Sequence, residues 1–346
     1  MIDLNVLNDY NRNIKMGIKN LNKYLMENCK NSIQQTHLSQ FAEKTIVIDT
    51  SIYMHQFKEE NALIENMYLL ICTLLYYGIT PIFVFDGKAP SNKQETIKLR
   101  NLEKEEAKIQ YENECLKFEK LKNEKERNEI YKKMCLLKTK FVRILKNDIQ
   151  NVKQLMELLK IQYIEAVGEA DDVCAKMVIT QQAWACLSED MDLFVYGCSR
   201  VLRNINLTTH NCTFYNLNDI LNELNLSLIN FREIIILCGT DYNLNDIIPL
   251  KQAFQYYKNY KIGNDNNQIH FYVWLKQIVP SIDVDKLYEI FKIFEIEGEQ
   301  ELNRISNNEL FLCKKEPNNL YFKKYFQKIN KKEMEKWLNN FGFIFV

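Results

Sequence analysis

Between Thr45 and Ala166 the chain alternates short, almost wholly apolar runs with longer stretches in which apolar residues recur every three to four positions. Runs of the first kind are TIVIDTS, ending its apolar part at Asp49, ITPIFVFDGKAP, reaching Asp86 and closed by Gly87 and Pro90, and IQYIEA at 161–166. Their length and β-branched content predict buried strands. Helical spacing appears around Met16, Ile18, Leu21 and Leu25, along the apolar span Ile64 to Tyr77 with Gly78 as its stop, and from Phe141 to Leu159. VLRNI (201–205) and CTFY (212–215) add short strands, and Asn230 to Cys238 forms an apolar helix ending in Gly239-Thr240-Asp241-Tyr242. Strands alternating with helices predict an α/β fold with a mainly parallel twisted sheet flanked by helices.

Three stretches depart from that alternation. Residues 1–15 are polar and predict an N-terminal extension. Residues 93–140 carry 14 Lys or Arg against 10 Glu, with no Gly or Pro and few apolar residues, which predicts a long solvated helical insertion with local positive charge. Beyond residue 243 the chain is helical in tendency and aromatic, with a turn-like GNDNN segment at 263–267. The expected organisation is an extension over 1–15, a main domain over 16–260 that contains the 93–140 insertion, and a helical C-terminal region over 261–346.

Composition narrows the classes. A chain of 346 residues, 47% hydrophobic, with nine Gly and five Pro, supports an ordered protein with a substantial core. The 45 basic and 45 acidic residues cancel, so the globally basic footprint of many nucleic-acid binders is absent and any such binding must come from local patches. The ten cysteines contain no Cys-x-x-Cys, and Cys72, Cys186 and Cys238 lie in apolar surroundings, as reduced core thiols of an intracellular protein do. The four histidines, His37, His55, His210 and His270, show no zinc spacing. No signal core and no run of about 20 apolar residues is seen, so no membrane association is expected.

The candidate chemistry is acidic. Asp49, Asp86, Asp190 and Asp192 follow apolar runs, Glu169 and Asp171 stand at an expected helix start, and Asp241 follows the apolar helix. In parallel sheets ligands bind beyond the carboxyl ends of the strands, so the fold offers a way to gather these acids on one rim. A buried carboxylate costs several kcal/mol unless it is paired or takes up a proton. Oxygen donors alone suit Mg²⁺ or Mn²⁺, and two such ions about 4 Å apart serve phosphodiester hydrolysis. Asp190 and Asp192 point the same way if that segment is extended. Plain alternatives stand beside this reading: Glu169, Asp171 and Asp172 as helix-capping charges, Asp190 and Asp192 as turn residues, and Asp49 as an N-cap. On pattern alone both stay open.

The motifs resemble those of the XPG-type flap endonuclease family. Met16-Gly17-Ile18-Lys19-Asn20-Leu21 resembles its opening, Val47 to Ser51 its first metal-binding strand, and Phe83 to Pro90 its FDGxPP element. Glu169-Ala170-Asp171, Glu189-Asp190-Met191-Asp192 and Gly239-Thr240-Asp241-Tyr242 are similar to its later motifs, in family order over roughly residues 16–245. The resemblance implies a PIN-like 5′-nuclease fold and a two-metal, structure-specific 5′ flap endonuclease and 5′–3′ exonuclease of DNA replication, repair or recombination. Asp49, Asp86, Glu169, Asp171, Asp190, Asp192 and Asp241 would hold two Mg²⁺ ions, with Mn²⁺ able to substitute. Lys93 and Arg100 would act on the scissile phosphate, and Gly17, His55, Lys88 and Arg203 would join them as DNA contacts. Residues 93–140 would form a helical arch passing a 5′ single strand.

Departures from the family pattern matter too. His55 stands where the family stacks a tyrosine on a base. NLNDIIPLKQAFQYY lacks the glycines of the family's helix–two-turn–helix, which puts duplex grip and a potassium site there in question. Glu335-x-x-Leu338-x-x-Phe341 has the spacing of a sliding-clamp box without its Gln or second aromatic. The compact opening and Asn-rich composition look most like members from large DNA viruses. A nuclear or viral cytoplasmic replication site and a monomer are expected. The competing readings are a related nuclease of Holliday junctions or RNA, and a non-catalytic nucleic-acid-binding scaffold.

Overall fold

The structure is a computed structural model and describes residues 18, 20–121, 123–243, 248–263, 269–296, 325–327 and 329–345. Among them seven strands share one sheet: β1 (Ile33–His37), β2 (Thr45–Asp49), β3 (Thr80–Phe85), β4 (Gln162–Glu165), β5 (Ala185–Leu187), β6 (Arg200–Asn206) and β7 (Asn211–Asn216), in the order β1-β7-β6-β5-β2-β3-β4. β4, β3, β2, β5 and β6 are parallel, and β7 and β1 join by antiparallel pairing. The chain moves outward from β2 to β3 and β4, then returns to the other flank of β2 for β5. The strand order therefore reverses between β2 and β5, and a crevice opens there at the carboxyl ends.

Strand alternation divides the core in two. Ile46 and Ile48 of β2 face one side with Phe83, Leu187 and Leu202; Val47 faces the other with Val84, Cys186 and Val201. The first side is covered by α2 (Thr50–Glu59), α3 (Leu63–Tyr76) and α6 (Lys146–Leu158). The second is covered by α1 (Leu21–Asn28), α7 (Ala170–Ile179), α8 (Asp192–Tyr196), α9 (Leu217–Leu224), α10 (Leu228–Leu237), α11 (Leu250–Gly263), α12 (Phe271–Ile278) and α13 (Val284–Ile293). Burying both faces explains why the central strands are apolar throughout rather than alternating.

The charged insertion is a hairpin of α4 (Gln94–Lys120) and α5 (Glu124–Lys140). It packs mainly on itself. Buried Glu114 takes ion pairs from Lys117 at 2.9 Å and from Lys133 across the hairpin at 2.8 Å, and Arg127 stands 4.3 Å over the Phe118 ring. The helix expected from Phe141 begins instead at Lys146. Asp148 sets that start by accepting from Leu145 N at 2.8 Å while pairing with Lys58 of α2 at 2.7 Å. β1, α2 and α9 are additions to the elements expected from the sequence.

The last described helix is α14 (Lys331–Leu338). Met334 and Leu338 bury against Leu155 and Met156 of α6, and Tyr325 Oη donates to Leu159 O at 3.0 Å. Leu338 of the degenerate clamp-box spacing is 0% exposed and held inside the fold, whereas Phe341 is 38% exposed. The extension over 1–15, Gly17 and most of the GNDNN turn lie outside the described residues. The described cysteines are free thiols, and among the described residues no helix is long and apolar enough to cross a membrane.

Candidate active site

Four connections leaving the carboxyl ends of β2, β3, β4 and β5 carry six of the seven acids, on the loops or on the helices they open. Asp49 ends β2 and caps α2, its Oδ1 accepting from Ser51 N at 3.2 Å and its Oδ2 from Ser188 Oγ at 3.1 Å. Ser188 follows β5 and its Oγ accepts from Asp190 N at 3.1 Å, so one hydroxyl ties β2 to the next connection. Asp190 Oδ1 in turn accepts from Asp192 N at 2.8 Å. The 190–192 segment is thus a tight turn into α8 and not the extended pair the spacing allowed: Met191 stands at the N-cap of a short helix that Asp192 begins, and Asp190 closes the turn through the Asp192 N–H.

Asp86, just past β3, accepts from Ala170 N at 2.8 Å and so sits at the N-terminus of α7, where orphan N–H groups and the helix dipole favour an anion. Gly87 makes this possible. Its N–H reaches Gly168 O at 2.7 Å, and a β-carbon there would lie 2.0 Å from Ala166 O. The two loops approach so closely that only glycine fits. Lys88 N continues the pairing to Val167 O at 3.1 Å while its side chain stays exposed. Glu169 and Asp171 are carried on the first turn of α7, and exposed Asp172 caps locally.

Asp241 arrives from the far end of the sequence on a rigid loop. Gly239, at φ +92°, turns the chain after α10 through the left-handed region that glycine tolerates best. Asn243 fixes the loop by accepting from Thr240 N and Oγ1 at 2.8 and 2.7 Å and donating to Ile236 O at 2.8 Å. One face at the start of α4 docks on it. Thr96 Oγ1 donates to Asp241 O at 2.6 Å, Lys93 Nζ lies 2.6 Å from Glu169 Oε2 and 3.4 Å from Asp241 Oδ2, and Arg100 Nη2 lies 2.7 Å from Asp241 Oδ1. Positions 93, 96 and 100 share a helical face, which is why all three meet the same loop. A cleft of about 150 Å³ opens here between Asp86, Gly87, Lys93, Thr96, Arg100 and Glu169.

Electrostatics mark the cluster as short of cations. Burial, then Asp86 and Asp190, pushes the Asp49 carboxyl up to about 8. Burial and the neighbouring acids also hold Asp171, Asp190 and Asp192 above the usual carboxylate range. Burial alone would pull the Lys93 ammonium down, but Tyr242, Asp241 and Glu169 outweigh it and raise it. Asp171 Oδ1 and Asp192 Oδ1 are buried with no hydrogen-bond partner. Among the described residues no three His, Cys, Asp or Glu side chains already stand at coordinating geometry. The donor set is nevertheless carboxylate only, with orphaned oxygens beside it, and it fits a hard divalent cation.

The remaining expected residues divide. Half-buried His55 on α2 lies within electrostatic reach of Asp86 and Lys104, and burial lowers its pKa. Arg203 is not on the rim. It is buried in β6, with Nη2 donating to Glu189 O at 2.7 Å and its guanidinium 5.7 Å over Tyr215, so it braces the 188–190 turn and is inaccessible to DNA here. Glu189 supports the same turn by accepting from Asn204 N at 2.6 Å. Three residues join the site without having been singled out: Ser188, Thr96 and Tyr242. Tyr242 was legible only as part of the Gly-Thr-Asp-Tyr string; Ser188 and Thr96 carry no signal without the fold.

Comparison with known proteins agrees with this geometry. A family model described as the XPG N-terminal domain matches residues 16–107, and one described as the XPG I-region matches residues 160–241. Flap endonuclease 1 of Methanococcus aeolicus is 34% identical over 233 residues, covering 66% of this chain and 68% of that protein. Flap endonuclease 1 of Cryptosporidium muris is 30% identical over 255 residues, 66% of this chain; the chain spans about half, 52%, of that relative's length. The catalytic core of Rad2, solved in complex with DNA substrate, shares the fold with a TM-score of 0.56 at 19% identity, over 94% of this chain and 99% of that one.

Proposed function

The chain belongs to the XPG-type flap endonuclease family, and from that premise we propose that it is a structure-specific 5′ nuclease that hydrolyses DNA phosphodiesters at 5′ flaps. One observation carries the reading: Lys93 and Arg100 are paired into Glu169 and Asp241, beside the mutually interacting carboxyls of Asp49, Asp86, Asp171, Asp190 and Asp192 beyond the strand ends. A non-catalytic scaffold has no use for carboxyl oxygens buried without a partner, as Asp171 Oδ1 and Asp192 Oδ1 are.

Asp49, Asp86, Glu169, Asp171, Asp190, Asp192 and Asp241 would hold two Mg²⁺ ions directly or through water. Bound there, divalent ions supply an activated water and neutralise charge on the phosphate. The chain's own residues do the rest. The Ser188 hydroxyl holds Asp49 and the Asp190 backbone in register, and the Ala170 N–H orients Asp86. Lys93 and Arg100, held beside the cleft through Glu169 and Asp241, supply positive charge to the scissile phosphate. The α4–α5 hairpin, with its local positive excess, is the surface assigned to the 5′ single strand, and exposed Lys88 and half-buried His55 border its base.

A cleavage panel tests the proposal: 5′-flapped, nicked, four-way-junction and RNA duplexes incubated with the protein and Mg²⁺. Preferential cutting of the 5′ flap near its junction with the duplex is expected. Preference for the four-way junction or RNA would reassign the substrate, and no cutting of any of them would refute the nuclease.

A further inference from the structure

Tyr242 lies directly after Asp241, and its side chain makes two different contacts at the acid rim. Its hydroxyl donates to Glu169 Oε2 at 3.0 Å, and its ring lies 4.7 Å beneath the Lys93 ammonium. The same Glu169 oxygen lies 2.6 Å from Lys93 Nζ, so hydroxyl, carboxylate and ammonium close a triangle. Each edge has its own physics: a hydrogen bond to a carboxylate, a charge-assisted ion pair, and a cation over an aromatic face. A lysine on four rotatable bonds loses considerable entropy when held to one place, and the ring supplies a floor that keeps it there without neutralising it.

The ring is itself fixed from behind. Phe294 meets the ring edge-to-face, with centroids 5.6 Å apart at 85°. Phe294 also packs on Tyr196 at 4.8 Å. It is fully buried and directly follows α13, so an aromatic wedge from the C-terminal helices is seated against the platform under Lys93.

We propose that Tyr242 is a positioning residue, which holds Lys93 by its ring and Glu169 by its hydroxyl, and that Phe294 links this platform to the C-terminal helices. The inference rests on the nuclease reading above. It assigns no proton transfer to Tyr242.

The two contacts are separable by substitution. Tyr242→Phe keeps the ring and removes the hydroxyl, whereas Tyr242→Leu removes both at similar bulk. Single-turnover cleavage of a 5′-flapped duplex, DNA affinity in Ca²⁺, and Mn²⁺ binding by calorimetry would be measured on wild type, both variants and Phe294→Leu. Tyr242→Phe is expected to weaken Mn²⁺ binding several-fold through Glu169 while keeping most of the rate at saturating metal. Tyr242→Leu is expected to lose about 10- to 30-fold in rate, the scale of a desolvated cation–π contact, with DNA affinity unchanged. Phe294→Leu should lower the rate in the same direction, and the double variant should lose no more than Tyr242→Leu alone. A Tyr242→Leu rate equal to wild type, or Tyr242→Phe no better than Tyr242→Leu, would overturn the positioning role. Fully additive losses would overturn the Phe294 link. Wild type that cleaves none of these substrates would instead refute the nuclease reading, which keeps the two failures distinct.

Discussion

The Lys93 ammonium lies 2.6 Å from Glu169 Oε2 with only 8% of its side chain exposed, so a basic residue is buried inside the acid cluster it is expected to serve. Arg100, half-exposed two helical turns on, reaches the same cluster through Asp241. In this arrangement the two cations partly neutralise the rim. The same docking face of α4 places them beside the cleft where a phosphate would lie.

Lys93→Ala and Arg100→Ala are each expected to lower single-turnover cleavage by about 10²–10³-fold, the cost of removing one preorganised charge from a transition state. DNA affinity should change little, because most phosphate contacts lie elsewhere. Cleavage at the wild-type rate in either variant would remove that residue from the site.

The raised carboxyls give the metal-free protein a defined pH dependence. Asp49, pushed from 3.8 up to about 8, and Asp171, Asp190 and Asp192, also raised, keep protons in the folded chain where the unfolded chain has lost them. The folded state then binds more protons, so stability must fall as pH rises from about 4 through about 8. Glu59 and Glu233, each pushed to about 7 by burial, add the same slope. The Tm in EDTA should drop between about pH 5 and pH 8, and Mg²⁺ should raise it most at the alkaline end. A Tm that is flat or rises over that range would contradict the account.

Gly87→Ala tests how Asp86 is placed. A methyl group 2.0 Å from the Ala166 carbonyl cannot be accommodated without separating the two loops. Destabilisation of roughly 1–3 kcal/mol is expected, with a larger fractional loss of cleavage because Asp86 leaves the N-terminus of α7. Chemical denaturation and cleavage assays on the same preparation separate the two effects. Wild-type behaviour in both would refute the close-approach argument.

Much of this arrangement was legible beforehand, for a physical reason. β2, β3 and β5 are buried on both faces, so they read as apolar runs, and the acids that end them break the pattern where the chain leaves the core. What did not read had no such contrast. β1, with the sequence IQQTH, is a half-exposed edge strand whose polar residues look like loop. The 190–192 conformation was open between an extended pair and a turn, since two-residue spacing does not separate a strand from a helix start, and the fold takes the turn. Arg203 carried the right charge at a family position, but only the packing against Tyr215 and Glu189 reveals that it is buried. Ser188 and Thr96 act through single hydroxyl bonds that exist only once distant segments meet.

Leu338→Ala addresses the C-terminal helix. With its side chain fully buried against α6, truncation is expected to cost about 2–5 kcal/mol and to lower Tm without affecting any binding to a sliding clamp. An unchanged Tm would show that α14 is not packed as described.

The most direct test of the central claim, that the acid cluster beyond the strand ends is a divalent-metal site for phosphodiester hydrolysis, is the single-turnover cleavage rate of a 5′-flapped duplex against Mg²⁺ concentration. Wild type, Asp190→Ala and Asp86→Ala would be compared, with circular dichroism and DNA binding in Ca²⁺ confirming that each is folded. The account requires a wild-type rate that depends on Mg²⁺ and vanishes in EDTA, and variants that bind DNA but do not cleave. Substantial Mg²⁺-dependent cleavage by either variant, or wild-type cleavage that persists in EDTA, would contradict it.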